Sequence, residues 1–163
     1  MRSSVINFPR NAKMEIDMKI QFMFVILLFS SIPLPVFSAE ATGVISVQIN
    51  ELKNNSGYVA VSLFNNADAF PTNPEKAYRK LRSQIQNNVA LVRFVDVPHG
   101  EYAVAVYHDE NANGKLDTNF IGIPNEGLGS SNDAKGSFGP PKFADAKFTL
   151  KEDRKTLVIK VSY

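Results

Sequence analysis

Apolar and polar residues alternate along much of the chain after residue 42. In segments 45–49 and 59–63, apolar residues occupy every second position, with Ser, Gln and Ala between them. This alternation is typical of β-strands that bury one face, because successive side chains of a strand point to opposite sides. We find no long stretch with the periodicity of an amphipathic helix.

Turn signals divide the rest of the chain into short segments of the same kind. The sequences 54–57 (NNSG) and 87–88 (NN) predict hairpin turns, and 75–81 after Pro74 predicts one or two helical turns. We expect strands at 45–50, 58–64, 83–86, 89–95, 101–107, 146–150 and 156–161. The pattern predicts an all-β fold, an antiparallel immunoglobulin-like or transthyretin-like β-sandwich of about seven strands.

The segment 97–104 (VPHGEYAV) marks one corner of this sandwich. It resembles the "LPPGxYxV" corner of transthyretin-like and related β-sandwich modules. The resemblance implies that Tyr102 packs at the corner between the two sheets.

The long connection 108–143 does not fit the regular spacing of strands. Its 36 residues contain six of the nine glycines and no clear strand or helix. Loops of this length in compact domains are usually functional or disordered, and the apolar residues of this one (Ile121, Ile123, Leu128 and Phe138) favour an ordered loop. The sequence therefore predicts one long Gly/Asn-rich loop over an end or a face of the sandwich.

Residues 1–41 have the pattern of a secretory signal peptide. Lys13 and Lys19 precede the apolar run 20–29, and the small residues Ala39 and Ala41 offer a cleavage site after Ala41, with Ser38 as an alternative. The apolar run is short for a membrane span, so an uncleaved anchor is the less favoured interpretation. We predict a signal peptide at 1–41, a single β-sandwich domain at 42–163, and a periplasmic or secreted location.

The charge balance of the remaining chain is close to neutral. Cleavage after Ala41 would remove four of 18 basic and three of 16 acidic residues, which leaves 14 and 13. We therefore expect no nucleic-acid partner and, after cleavage, no integral membrane segment. The chain has no cysteine, so the core rather than disulfides must stabilise it.

The opening of the long connection contains the spacing of a calcium-binding loop. The residues at relative positions one, three, five, six and nine are Asp109, Asn111, Asn113, Gly114 and Asp117. Short oxygen-bearing side chains at alternate positions can converge inside a turn, and glycine at position six permits the sharp reversal. The predicted calcium ligands are Asp109, Asn111, Asn113, the carbonyl of Lys115, Asp117 and Glu126.

Two features separate this segment from an EF-hand. Position twelve is Phe120 instead of glutamate, and the preceding segment 102–107 predicts a strand instead of a helix. The alternative is a plain turn, because Asn and Asp bond to their own backbone and tolerate left-handed conformations. If calcium binds, we expect weak affinity, with a Kd of about 10⁻⁴ to 10⁻³ M, because only two side chains of the turn, Asp109 and Asp117, are charged.

Evidence for catalysis is sparse. The chain lacks a cysteine nucleophile, a Gly-x-Ser-x-Gly elbow and a His-Glu-x-x-His motif. His108 with Asp109, Asp117 or Glu126 is the one combination that suggests a small metal-dependent enzyme. We assign no catalytic residue, and our leading hypothesis is a non-enzymatic module that binds a protein or a small-molecule ligand, or has an accessory role.

Two longer motifs resemble a known family. The runs 105–127 (AVYHDENANGKLDTNFIGIPNEG) and 131–143 (SNDAKGSFGPPKF) are similar to the signature of the bacterial exported domain of unknown function 2141. This resemblance implies an exported β-sandwich from a Gram-negative bacterium, without an established activity. It also implies that the long connection is a feature of the family.

Overall fold

The computed structural model describes residues 40–163, and these form eight short or medium strands with very little helix. The strands are β1 (Thr42–Asn50), β2 (Tyr58–Phe64), β3 (Arg79–Ser83), β4 (Ala90–Pro98), β5 (Gly100–Asp109), β6 (Leu128–Ser130), β7 (Phe148–Leu150) and β8 (Arg154–Lys160). Two 3-10 turns lie at Pro74–Lys76 and Ser131–Asp133, and one helical turn, α1, at Phe143–Ala146. The all-β prediction is confirmed. The predicted signal segment lies outside the described residues except for its last two positions.

The strands are arranged in two sheets. The first has the order β4-β1-β8, in which β1 is antiparallel to β4 and parallel to β8. The second has the order β3-β2-β5, and the far edge of β5 pairs with β6 near its end and with β7 near its beginning. All strand pairs except β1–β8 are antiparallel, as the predicted sandwich requires.

A single apolar cluster joins the facing sides of the two sheets. Ile45, Val47 and Ile49 of β1 are essentially inaccessible to solvent, as are Val59 and Val61 of β2. The period-two alternation thus has its expected cause: β1 and β2 direct these alternate side chains into the shared core. Burial of these side chains is the main stabilising contribution in a chain without disulfides.

The corner between the sheets contains the tyrosine that the sequence pattern indicates. Strands β4 and β5 belong to different sheets and are separated by His99 alone. The Tyr102 side chain is buried, and its hydroxyl donates a hydrogen bond to the Pro98 carbonyl at 2.9 Å. This bond spans the corner and fixes the angle at which the chain passes from one sheet to the other.

Several sequence predictions are wrong. Of the predicted helical segment 75–81, only Glu75 and Lys76 belong to a 3-10 turn, because Arg79–Ser83 pairs with β2 as strand β3. Of the predicted strand 83–86, only Ser83 lies in a strand. The turn at 54–57 does not close a hairpin, because β1 and β2 belong to different sheets. The connection 108–143 is not free of regular structure, because β5 continues to Asp109 and β6 lies at Leu128–Ser130. The three-residue strand β6 is too short to produce a visible alternation, and its pairing with β5 is a long-range contact.

Strand β6 divides the long connection into two loops. The first loop, 110–127, joins β5 to β6, and the second, 131–147, joins β6 to β7. Ser131 anchors the second loop: its hydroxyl accepts from the Val104 amide at 2.9 Å and donates to the Ala146 carbonyl at 2.6 Å. The Ser131 side chain therefore provides a hydrogen-bond partner for the β5 backbone at Val104, which lies between the part of β5 that pairs with β6 and the part that pairs with β7.

Candidate functional site

The loop 110–127 is closed at its base by backbone bonds. The His108 amide donates to the Gly127 carbonyl at 2.9 Å, and Tyr107 pairs with Leu128 across β5 and β6. The predicted calcium ligands all lie on this loop or on the residue before it. The pairing of β5 with β6 therefore fixes the positions of both ends of the loop.

Asp109, at the first position of the predicted calcium loop, is fully buried. Its carboxylate accepts the backbone amides of Asn113 at 3.0 Å and Gly114 at 2.7 Å. Burial by itself raises the pKa of a carboxyl, but the Tyr58 hydroxyl and the amides of residues 112–114 outweigh it and lower the pKa of Asp109. Asp109 is thus an ionised, buried carboxylate around which the first turn of the loop is built.

Tyr58 lies beside this carboxylate, on the neighbouring strand β2. Strand pairing places Tyr58 opposite Asp109, and the carboxylate together with burial raises the pKa of Tyr58 to about 12. The contact is close, but the hydroxyl lacks a hydrogen bond of normal geometry among the described residues. The Arg82 guanidinium covers the Tyr58 ring at 4.5 Å from its centroid, so that an aromatic ring separates this cation from the core.

Three further predicted ligands converge on one another. The Asn111 side-chain amide lies 2.6 Å from one Asp117 oxygen, and the Asn113 side-chain amide lies 3.0 and 3.1 Å from both Asp117 oxygens. The side-chain oxygens of Asn111 and Asn113 accept the backbone amides of Asn113 and Lys115, respectively. The side chains at positions three, five and nine thus meet on one side of the turn.

Glu126 holds the base of this turn. It is buried, and its two carboxylate oxygens accept the Glu110 amide at 3.1 Å and the Asp117 amide at 3.0 Å. One side chain therefore connects both ends of the turn, from a position nine residues beyond Asp117. Position twelve of the motif is Phe120, which has no carboxylate. The carboxylate that closes this turn comes instead from Glu126.

Gly114 and Lys115, at positions six and seven, complete the turn. Gly114 has φ of +82°, a left-handed conformation that glycine adopts without steric cost. Lys115, whose carbonyl is the predicted ligand at position seven, is tied in through its amide, which donates to Asn113 at 2.8 Å. The structure therefore brings all six predicted residues into one hydrogen-bonded unit.

The sequence profile of a bacterial family, described as an uncharacterized protein conserved in bacteria (DUF2141), matches residues 47–158. The chain belongs to this family. The match extends from β1 into β8 and includes both loops. No curated protein and no solved structure matches the chain significantly.

In this DUF2141 member, His108 is engaged on both ring nitrogens. It is fully buried, with Nε2 2.8 Å from the Ser56 carbonyl and Nδ1 2.5 Å from the Tyr163 hydroxyl. A carbonyl can only accept, so Nε2 carries the hydrogen and Nδ1 accepts from the tyrosine. The ring connects β5 to the turn before β2 and to Tyr163, and no nitrogen is left to bind a metal ion.

Groupings typical of a catalytic metal centre are absent from the described part of the chain. Residues 40–163 contain no cluster of three or more His, Cys, Asp or Glu side chains arranged to hold a metal ion. This finding concerns centres built from His, Cys, Asp and Glu side chains. It does not test the predicted calcium site, whose ligands include two asparagines and a backbone carbonyl. Within the same residues, no helix is long and apolar enough to cross a membrane.

Three residues contribute to the site in a way that the local sequence does not predict. Tyr58 and Gly57 reach the loop from the start of β2, and Tyr163 reaches His108 from 55 residues away along the chain. A Cβ atom on Gly57 would lie 1.8 Å from the Asp109 carbonyl oxygen, so only glycine fits there. The NNSG turn signal explains the glycine as a turn residue, but the contact with Asp109 depends on the pairing of β2 and β5.

Proposed function

We propose that this protein is an exported, non-enzymatic β-sandwich module whose binding surface is the loop 110–127, ordered by a weakly bound calcium ion. The observation that carries the proposal is the convergence of Asn111, Asn113 and Asp117 beside the buried carboxylate of Asp109. Three carboxylates of this region, at 109, 117 and 126, supply the negative charge that a hard divalent cation requires.

The chemistry of the amide groups is compatible with such an ion. Each asparagine amide carries one oxygen and one nitrogen, and rotation about its terminal bond exchanges their positions. In the structure both nitrogens face Asp117. A cation at this point would be bound by the two amide oxygens and the Asp117 carboxylate. It would replace those N–H···O bonds and also the bonds that the two oxygens accept from the Asn113 and Lys115 amides, while Asp109 and Glu126 keep the turn in shape.

A calcium titration followed by thermal unfolding tests the metal site. We expect a rise in Tm with half-saturation at about 10⁻⁴ to 10⁻³ M calcium, and a smaller response to magnesium, which demands stricter octahedral geometry. The Asp117→Asn variant should lose most of the response. Asp68→Asn is the matched control, because Asp68 is exposed and lies beyond the opposite end of β2.

Two results would contradict the site. The first is the same Tm in chelator and in millimolar calcium. The second is a calcium response of Asp117→Asn equal to that of the unsubstituted protein, which would place the ion elsewhere. In either case the loop 109–117 is a turn stabilised by its own hydrogen bonds.

Export rests on the sequence of the first 41 residues, and mass spectrometry of the protein from fractionated cells tests it. The Ala41 carbonyl accepts the His99 amide at 2.9 Å, so cleavage after Ser38 would retain a bond that cleavage after Ala41 would remove. Cleavage after Ala41, the prediction from the sequence, gives a mature chain that begins at Thr42, and cleavage after Ser38 gives one that begins at Ala39, so the measured mass distinguishes the two. Recovery of the intact chain from the cytoplasm alone would exclude export, and replacement of Leu27 and Leu28 by arginine is the control that should block it.

A further inference from the structure

Asn113 and Gly114 form the only Asn-Gly pair in the chain. In such a pair the backbone nitrogen of the glycine can attack the side-chain carbonyl carbon of the asparagine, because glycine has no Cβ atom to block the approach. The pair occupies positions five and six of the predicted calcium loop, between Asp109 and Asp117. The calcium hypothesis uses the side-chain oxygen of Asn113 and makes no use of this reactivity.

The side chain of Asn113 is folded back over the peptide bond that joins it to Gly114. The Lys115 amide donates to Oδ1 of Asn113 at 2.8 Å, which closes a turn through the side chain and residue 114. A turn of this kind brings the side-chain carbonyl carbon, Cγ, towards the Gly114 nitrogen. These are the two atoms that a five-membered succinimide ring would join, so the turn positions the reacting atoms before the reaction.

The groups that change during ring closure have hydrogen-bond partners. The Gly114 N–H donates to a carboxylate oxygen of Asp109 at 2.7 Å, which is within reach for transfer of its proton. The Lys115 N–H lies at the oxygen on which negative charge develops when Cγ is attacked. The side-chain nitrogen of Asn113, which would leave, lies 3.0 and 3.1 Å from the Asp117 oxygens, and Asn113 is exposed to water.

Asn111 has nearly the same surroundings but a different next residue. Its side-chain oxygen accepts the Asn113 amide at 3.0 Å, and its side-chain nitrogen lies 2.6 Å from Asp117. The next residue is Ala112, whose amide also lies beside the Asp109 carboxylate and whose Cβ shields the nitrogen. Three further asparagines of residues 40–163 form turns of the same kind, and none of them precedes glycine: Asn54, Asn66 and Asn119.

We propose that Asn113 is a site of spontaneous deamidation through a succinimide shared with Gly114. The Gly114 nitrogen bonds to Cγ of Asn113, the Cγ–Nδ2 bond breaks, and the proton of the Gly114 nitrogen leaves with Nδ2 as ammonia. Water then opens the ring. Its addition at Cγ gives aspartate, and its addition at the backbone carbonyl carbon gives isoaspartate, in which the chain continues through the side chain. The reaction needs no metal ion, so this inference goes beyond the proposed function.

The aspartate product changes the charge of the turn. Aspartate is the alternative to asparagine that calcium loops allow at position five. It would place a carboxylate where the Asn113 amide now donates to Asp117, so that an attractive contact becomes a repulsive one in the absence of a cation. With calcium bound, the added charge should raise the affinity. This consequence, unlike the reaction itself, rests on the proposed function.

Peptide mapping by mass spectrometry tests the reaction. The folded protein is incubated in chelator at mildly alkaline pH, and a second sample is incubated in urea. We expect aspartate and isoaspartate to form at Asn113 in the folded protein, at least about tenfold faster than at Asn111. An Asn113 that stays intact in the folded protein while it converts in urea would mean that the turn protects the amide, and would overturn the proposal. Equal rates at Asn111 and Asn113 would also overturn it.

Two reciprocal substitutions test the role of glycine. Gly114→Ala should slow conversion of Asn113 about tenfold. The turn can hold this alanine, since a Cβ at 114 meets no atom closer than 3.4 Å and Ala112 already has φ of +59°. Ala112→Gly should make Asn111 a second site of conversion. An unchanged rate in the first variant, or an intact Asn111 in the second, would contradict the assignment.

The modification and the calcium site can fail separately. In Asn113→Asp, calcium should raise Tm with half-saturation at a concentration about tenfold lower than in the unsubstituted protein. Conversion of Asn113 in chelator, with Tm independent of calcium in both proteins, would support the modification and reject the calcium site. A calcium-dependent Tm in a folded protein whose Asn113 never converts would have the opposite meaning.

Discussion

The Tyr163 hydroxyl lies 2.5 Å from Nδ1 of His108, and the same oxygen accepts the Lys53 amide at 2.9 Å. On its other side the imidazole contacts the Ser56 carbonyl. One tyrosine hydroxyl and one buried ring thus tie strand β5 to residues 53–56 and to residue 163. These contacts stabilise the base on which the loop 110–127 stands.

Removal of this hydroxyl should destabilise the protein without altering its fold. We expect Tyr163→Phe to lower the free energy of unfolding by about 1–3 kcal/mol, because it leaves the buried Nδ1 of His108 without a donor. Urea denaturation measures the change. The control is Tyr78→Phe, since no residue among 40–163 hydrogen-bonds to the Tyr78 hydroxyl; equal effects of the two substitutions would refute a specific role for the Tyr163–His108 contact.

The buried carboxylate of Asp109 predicts a pH dependence. Its pKa is lower in the folded protein than the ordinary value of about 3.9. A depressed pKa contributes stability that is present above that ordinary value and is lost as pH falls through the folded-state pKa. In chelator, Asp109→Asn should therefore be less stable than the unsubstituted protein at neutral pH, and the difference should shrink in acid. A difference that stays constant down to the acid transition would contradict this account.

Gly57 and Gly122 offer a matched pair. Both have positive φ, 63° and 81°, so alanine is strained at either position. A Cβ atom at Gly57 meets the Asp109 backbone, whereas one at Gly122 has nothing within 4 Å. Thermal unfolding should show a cost of about 1–2 kcal/mol for Gly122→Ala, from strain alone, and a clearly larger one for Gly57→Ala. Comparable costs would mean that β2 and β5 approach each other less closely than the structure shows.

Removal of the Ser131 hydroxyl should lower the stability of the protein. Ser131→Ala leaves the Val104 amide buried without a partner, which costs about 1–3 kcal/mol. Ser137→Ala, in the exposed part of the same loop, is expected to be neutral. Chemical denaturation of both variants checks the prediction, and a neutral Ser131→Ala would show that water can replace the hydroxyl.

The calcium-loop motif illustrates how far local pattern extends. The spacing of Asn111, Asn113 and Asp117 is sufficient to predict that these side chains meet, because a turn brings alternate side chains together, whereas Asp109 accepts the backbone amides of the same turn. The sequence offers no means to predict that Glu126 clamps both ends of that turn. That contact exists because β6 pairs with β5 and returns the chain to the base of the loop.

Local sequence was enough to predict the strands with clear alternation and the turn at 87–88, because these follow from local sterics and from burial of every second side chain. The corner at Tyr102 was predicted from a resemblance. The turn at 54–57 does not close a hairpin, because it leads from one sheet to the other. Local sequence does not predict the position of β3, the existence of β6 or the parallel pairing of β1 with β8. Each of these depends on pairing with a strand that is distant in the chain. The same holds for His108, whose two nitrogens are bound by residues 52 and 55 positions away. A histidine beside carboxylates suggests metal chemistry in a linear sequence, but its hydrogen-bond partners are set only when the chain has folded.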